Sequence, residues 1–303
     1  MHGKQYIGRF APSPTGWLHA GSLIAALASF LDARAHGGHW LVRIEDLDRN
    51  RRVPGAERAI LRDLERHGLR WDGSVTRQSE RTFLHAEALQ YLVAHGHAYP
   101  CACSRQDVRK AAARCGAEGP IYPGTCARGL AGGQTPRSWR VRTAGPKTSI
   151  HDRVQPAVTQ QLDQEVGDFV VFRADGFCAY QLAVVVDDAE QGITHVVRGC
   201  DLIDSSPRQR HLQRLLGYPE PAYLHVPVAT DHRGMKLSKS MGAASLETEN
   251  SVRTLRRALL HLGQALPKNT DANSPERLLA SAIDQWDPHR IPVRRTLPWA
   301  SAS

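Results

Sequence analysis

No stretch reaches the ~18 consecutive apolar residues a membrane-spanning helix needs, so no such span is expected. The first ten residues mix Lys4, Gln5 and Arg9 with few apolar ones, and lack the apolar core of a signal peptide. Six cysteines in 303 residues are too sparse for a disulfide framework, so reduced thiols and a cytoplasmic setting are expected. No internal repeat is present. Hydrophobic residues at 41% and charged residues at 23% match an ordinary globular chain, which excludes disordered and fibrous classes. Acidic residues are in deficit: 30 Asp and Glu face 39 Lys and Arg, a net charge of +9. A basic surplus of this size favours a polyanionic partner, nucleic acid above all. The length suits one large or two modest domains.

Tyr6–Phe10 reads as a strand ending at Ala11, and Pro12–Gly16 cannot be regular structure, because two prolines remove donors. Gly21–Ala35 then carries Leu23, Leu27, Phe30 and Leu31 on one helical face. Strand, turn and helix in that order open a βα unit. Trp40–Ile44 reads as the next strand, with Glu45, Asp46 and Asp48 at its C-terminal end, where open α/β sheets hold ligands. Helices are expected over Pro54–His67 and Arg81–His95, and Ser104 with Asp107 forms a capping-box pattern. From about Pro100 to Gly145 the apolar periods vanish, and four of the six cysteines fall between Cys101 and Cys126. This stretch reads as an insertion held by something other than a core. Asp168–Arg173, Thr194–Val197 and Leu224–Ala229 read as strands. Asp204–Leu216 reads as a helix with Ser205 or Ser206 near its cap and Pro207 in its first turn. Helices are expected over Ser251–Gly263 and Pro275–Gln285, and Pro292–Ser303 as a surface cover.

Two loops carry chemistry. His19-Ala20-Gly21 opens the first helix, whose positive dipole end attracts phosphate, and Gly21 lets a flat ligand approach the backbone. Without a ligand the same segment is a Pro-rich turn with a solvated His19. Lys236-Leu237-Ser238-Lys239-Ser240 sets two movable point charges in a polar loop, Thr230–Gly242, suited to a triphosphate whose charge changes during reaction. Alone, such a loop is merely solvated.

Taken together these segments resemble the class I aminoacyl-tRNA synthetases. His19–Ser22 resembles their HIGH motif, with Ser22 for the final His, and Lys236–Ser240 their KMSKS motif, with Leu237 for Met. Within the class, Arg9–Gly16 resembles the R-F-A-P-S-P-T-G of the glutamyl branch. Arg43-Ile44-Glu45-Asp46-Leu47-Asp48 resembles its R-I-E-D-x-D, and Arg198-Gly199-Cys200-Asp201-Leu202 with Ser206-Pro207-Arg208-Gln209 its R-G-x-D-L and S-x-R-Q. After Ser240 only Met241 to Ser303 follow, so no anticodon-binding domain is expected. The resemblance is therefore to a truncated branch that activates L-glutamate with ATP and transfers it to the queuosine base in the anticodon of tRNA(Asp). Two other readings stay open: an ordinary glutamyl-tRNA synthetase with a reduced C-terminus, and a catalytically dead zinc-containing RNA-binding protein.

The resemblance implies an α/β fold, a doubly wound parallel Rossmann-type sheet. Its first half spans 1–99, a zinc-binding insertion 100–145, its second half with the Lys/Ser loop 146–242, and a small helical C-terminal part 243–303. It implies glutamate contacts from Arg9, Ser13, Glu45, Tyr180 and Arg198, in keeping with the bidentate fit of Arg to carboxylate and of an acid to an ammonium. It implies ATP over His19 and Gly21, with Mg2+, and catalysis by His19, Lys236 and Lys239. Asp46 and Asp201 have no assigned part. One structural Zn2+ would take Cys101, Cys103 and Cys126. By chemistry alone Cys115 is the better fourth ligand, because a thiol ionises more easily than a phenol; the family pattern points to Tyr122, which is the ligand expected here, with Cys115 as the alternative. Arg105, Arg109, Lys110, Arg114 and Arg128 make the insertion basic and predict contact with RNA.

Overall fold

The structure, a computed structural model, describes residues 5–116, 119–231, 233–237, 250–266 and 273–299. In chain order the strands and helices are β1 (Ile7–Phe10), α1 (Ala20–Ala35), β2 (His39–Ile44), α2 (Ala56–Arg66), β3 (Thr76–Arg77), α3 (Thr82–Ala94) and β4 (Ala98–Cys101). Next come α4 (Arg105–Ala111), β5 (Cys115–Gly116), β6 (Gly119–Pro120), β7 (Ser138–Val141), β8 (Thr148–Ile150), β9 (Val158–Gln160), α5 (Leu162–Glu165), β10 (Val170–Phe172) and α6 (Tyr180–Glu190). The last are β11 (His195–Gly199), α7 (Ser206–Leu216), β12 (Ala222–Val226), β13 (Val228–Thr230), α8 (Ser251–His261), α9 (Pro275–Asp284) and β14 (Thr296–Pro298).

The central sheet has five strands in the order β12-β11-β1-β2-β3, all parallel. Parallel sheets are covered on both faces, which explains strands as apolar as His-Trp-Leu-Val-Arg-Ile. On one face lies α1. Its single apolar stripe was the expected reading, yet nearly every residue from Leu23 to Ala33 is buried. The reason is that α8 and α9 cover its outer side, joining Leu255, Leu259, Leu278 and Leu279 to the core of Leu23, Leu27 and Val42. The C-terminal helices are thus part of the main core. Against the other face, Ile150, Ile193, Val196 and Tyr223 pack with Ile7 and Leu41.

A second, antiparallel sheet runs β10-β7-β4. It closes the neck of the cysteine-bearing stretch, pairing Ala98 with Val141 and Cys101 with Ser138. Its core is shared with α3, α6 and α7 through Leu92, Val141, Val171, Leu182 and Leu212. The insertion expected over 100–145 therefore begins inside β4 and runs past β7, and the β10 segment completes their sheet.

Three local expectations change. Leu224–Ala229 is two strands, β12 and β13, because Pro227 between them lacks the N–H a ladder needs. Ser205 takes the N-cap position of α7, with Pro207 in its first turn, but makes no side-chain capping bond, because a 3-10 turn over Cys200–Ser205 runs straight into the helix and gives Ser205 helical dihedrals. The segment expected only to cover the surface supplies β14, which pairs in parallel with β13. The capping box of Ser104 and Asp107 forms with both bonds in place. Among the described residues, no helix is long and apolar enough to cross a membrane.

Candidate active site

The two sequence motifs meet above the C-terminal end of β1. The loop after β1 is tied to the chain beyond β2 by Glu45 N–H to the Pro12 carbonyl and Val53 N–H to the Pro14 carbonyl, both at 2.9 Å. His19 takes the N-cap of α1; its Nδ1 accepts from Ser22 N–H at 3.3 Å and its Nε2 lies 3.1 Å from Ser22 Oγ. The serine at the final position of this motif therefore holds the histidine ring. A Cβ on Gly21 would sit 3.2 Å from that ring and 3.8 Å from the Leu237 carbonyl. The start of the Lys/Ser loop thus passes over the first turn of α1. Lys236 pairs there with Asp201. Ser238, Lys239 and Ser240 lie outside the described residues.

Below this loop sits a buried charge cluster. Arg9 binds Asp188 through two parallel bonds, Nε to Oδ1 at 3.0 Å and Nη2 to Oδ2 at 3.2 Å. Arg43 Nη1 donates to Asp188 Oδ1 and to Gln191 Oε1, both at 2.7 Å, and its Nη2 reaches Glu45 at 3.3 Å. Burial alone would push the Asp188 carboxyl up, but Arg9 and Arg43 outweigh it and hold it below the usual range. For Glu45 burial prevails and the carboxyl is pushed up.

Arg198 is engaged differently. Its Nε donates to His225 Nε2 at 3.0 Å and its Nη2 to Ser206 Oγ at 2.8 Å. Its Nη1 is buried without a partner. Tyr180 opens α6 and stays 37% exposed, so it is not a core tyrosine. Ser13 is exposed in the loop after β1. Arg9, Glu45 and Arg198 each act electrostatically on Tyr180, and Arg9 acts on Glu45. Arg43 and Asp188, which complete the cluster, were not assigned from the sequence. A signal exists for each: Arg43 lies in the segment containing Glu45, and Asp187-Asp188 is an acidic pair ending an apolar helix.

Cys101, Cys103 and Cys126 bring their sulfurs within 4.8 Å of one another. The Tyr122 hydroxyl lies 3.4 Å from Cys101 Sγ and 3.8 Å from Cys103 Sγ, and accepts the Cys126 N–H at 2.8 Å. Cys115 is exposed on β5, outside this group. The chain geometry therefore sets Tyr122, not Cys115, beside the three thiols. Three sulfurs and one oxygen converging in a small space fit a tetrahedral zinc ion. Arg140 lies over the Tyr122 ring at 3.8 Å and donates to Cys101 Sγ at 3.3 Å. Burial raises the Cys101 thiol, but donors from Tyr122 and Arg140 bring it down to about 7. Cys178 and Cys200 are buried elsewhere, facing the carbonyls of Val171 and Arg294.

Between this group and the main sheet opens a cleft of about 1900 Å³. Arg105, Arg109 and Arg137 line it from the insertion, and Arg51, Arg173, Arg208 and Arg295 from the opposite side. Asp201 and Ala179, next to Tyr180, line the same cleft. Arg105, Arg109, Lys110, Arg114 and Arg128 are all exposed.

Residues 7–263 match the family model described as tRNA synthetases class I (E and Q), catalytic domain. The chain is 53% identical to a glutamyl-Q tRNA(Asp) synthetase of Thiobacillus denitrificans, over 97% of each chain. It is 50% identical to one of Chromobacterium violaceum, again over 97% of each. Among solved structures, it superposes on a glutamate tRNA ligase from Elizabethkingia meningosepticum in complex with its amino acid. The TM-score is 0.79 and the identity 22%, over 98% of this chain and 67% of that one. A glutamate-tRNA synthetase from Elizabethkingia anophelis gives 0.80 and 22%, over 98% and 68%.

Proposed function

The chain belongs to the glutamate and glutamine family of class I tRNA synthetases, and from that premise we propose that it loads glutamate onto the queuosine base of tRNA(Asp). One observation carries the amino-acid half of this reading: the buried, unpartnered Nη1 of Arg198 beside the charge cluster. Arg9, Arg43 and Arg198 set three positive charges against Asp188 and Glu45, a surplus of one. Glutamate brings two carboxylates and one ammonium, so its single net negative charge balances the site. Arg198 Nη1 would take a carboxylate, Arg9 would add its remaining field from the Asp188 pair, and Glu45 would face the ammonium. Tyr180 and Ser13 supply neutral hydroxyls at the rim.

Activation needs only positioning and charge stabilisation. A glutamate α-carboxylate oxygen bonds to the α-phosphorus of ATP, the bond to the β-phosphate oxygen breaks, and pyrophosphate leaves. His19 and the turn over Gly21 would hold the nucleotide, and Lys236 with Lys239 would follow the charge onto the leaving phosphates. Mg2+ entering with ATP would supply further neutralisation on pyrophosphate. In the second step a queuosine hydroxyl attacks the glutamyl carbonyl and AMP departs. A Zn2+ held by Cys101, Cys103, Tyr122 and Cys126 would cross-link the insertion and take no part in bond making. The arginine-lined cleft would receive the tRNA backbone, with affinity falling steeply in salt. With ATP and tRNA as its substrates, the chain would work in the cytoplasm.

The test is transfer of labelled glutamate onto tRNA(Asp) with queuosine, tRNA(Asp) with guanosine, and tRNA(Glu), preceded by glutamate-dependent ATP–pyrophosphate exchange. Label only on the queuosine sample is expected. Label on tRNA(Glu) would indicate an ordinary synthetase, and no exchange at all would indicate a binding protein.

A further inference from the structure

Arg198 is aimed by residues that carry no assigned part in the reaction. Its Nε–H donates to His225 Nε2 at 3.0 Å. A neutral imidazole accepts at one nitrogen only, so the His225 proton must sit on Nδ1. That nitrogen lies 2.6 Å from Asp152 Oδ2. The other carboxylate oxygen, Oδ1, accepts the backbone N–H groups of Val154 at 2.9 Å and Gln155 at 2.8 Å, which fixes the carboxylate in place. His225 and Ser206 are fully buried. Burial holds the imidazole down to about 4, so the ring is neutral at neutral pH.

The chain of dependence runs in one direction. Backbone N–H groups orient Asp152, Asp152 selects the His225 tautomer, and the tautomer makes Nε2 an acceptor for Arg198. With Nε held there and Nη2 on Ser206, only Nη1 is left open. The geometry points to Asp152 and His225 as positioning residues that aim the Arg198 guanidinium at the substrate carboxylate. The inference rests on the reading of Arg198 as the carboxylate partner of glutamate. The two residues touch no reacting atom; they act through Arg198 alone.

The isosteric Asp152→Asn variant tests this. Its amide oxygen stays on the Val154 and Gln155 N–H groups, and its NH2 faces Nδ1. The ring must then carry its proton on Nε2, donor against donor with Arg198. In ATP–pyrophosphate exchange, KM for glutamate is expected to rise at least tenfold while KM for ATP stays within twofold. Adding His225→Gln, whose Oε1 offers Arg198 an acceptor whichever side chain stands at position 152, is expected to recover most of the glutamate KM. An unchanged glutamate KM in Asp152→Asn, or an equal rise for glutamate and ATP, would overturn the proposal. So would failure of the second substitution to rescue. Nitrogen-15 NMR of the wild-type full chain reads the tautomer without any variant: Nδ1–H is expected, and Nε2–H would overturn it. If wild-type protein shows no glutamate-dependent exchange, the proposed function fails, and the NMR still decides whether the relay exists.

Discussion

Two clusters of arginine, carboxylate and aromatic ring stand at opposite ends of the same parallel sheet, and they are closed to different degrees. Where the strands begin, Asp32 is fully buried and receives the Tyr6 hydroxyl, the Arg153 guanidinium and Trp286 Nε1. Tyr6 stacks on His195 at 3.8 Å between centroids. Among the described residues, no buried side-chain polar atom of Tyr6, Asp32, Arg153 or Trp286 lacks a partner. Where the strands end, Arg43 Nε and Arg198 Nη1 are buried with none. Buried donors without acceptors are costly unless a ligand supplies the acceptor. The same residue types thus build a clamp at one end, tying the Trp286 segment to the sheet, and leave buried donors open at the other.

Substitution can break this comparison, and the largest effect is expected at the open end. Arg198→Ala should lower kcat/KM for glutamate by about a hundredfold or more, the range for truncating a buried charge that meets an opposite one. ATP–pyrophosphate exchange reads it. Its mirror image is Asp32→Asn, which removes the charge opposite Arg153 and turns one of the two oxygens that Tyr6 and Arg153 share into a donor. It should cost about 3 kcal/mol of stability in urea while KM for glutamate in the folded fraction is unchanged. If Asp32→Asn moves glutamate KM, the two ends are not separable.

The cysteine group sharpens the picture from a third position. Cys126→Ser, or a strong zinc chelator, should reduce transfer of glutamate to tRNA about tenfold and leave pyrophosphate exchange near wild type, because the group ties the insertion and not the charge cluster. A parallel loss of exchange would join the two regions.

The smallest effect is on pH. His195 and His225 are both held down to about 4, in each case first by burial. Each is neutral in the folded chain and, once exposed by unfolding, takes a proton near pH 6.5. Between those values the unfolded state binds more protons, so stability falls as pH drops from about 6.5 toward 4. The slope should be at most about 1.4 kcal/mol per pH unit for His225 and less for the partly exposed His195. Urea midpoints from pH 7 to 4.5 measure it, and a flat profile would mean that neither ring is buried neutral.

What could be read from the chain was local. The strand–turn–helix around His19, the capping box at Ser104 and the ends of most helices follow from near neighbours, and they stand within a residue or two of expectation. That four cysteines gather between Cys101 and Cys126 was equally legible, while the choice of Cys101, Cys103 and Cys126 among them came from the family resemblance. Tyr122 over Cys115 was not settled by chemistry, because ionisation favours a thiol. What excludes Cys115 is the β5 strand that carries it to the surface.

By itself, then, the sequence determined the family, the parallel βα architecture and three of the charged residues near the site, Arg9, Glu45 and Arg198, but not Arg43 or Asp188. Only the tertiary structure decided how each charge is engaged. Arg9 and Arg198 look alike as candidates for a carboxylate. Yet Arg9 meets Asp188 from a helix far along the chain, whereas Arg198 meets a neutral histidine and keeps a donor open. A buried cation pairs with whatever the packed chain sets within about 3 Å of it, and no spacing rule encodes that neighbour.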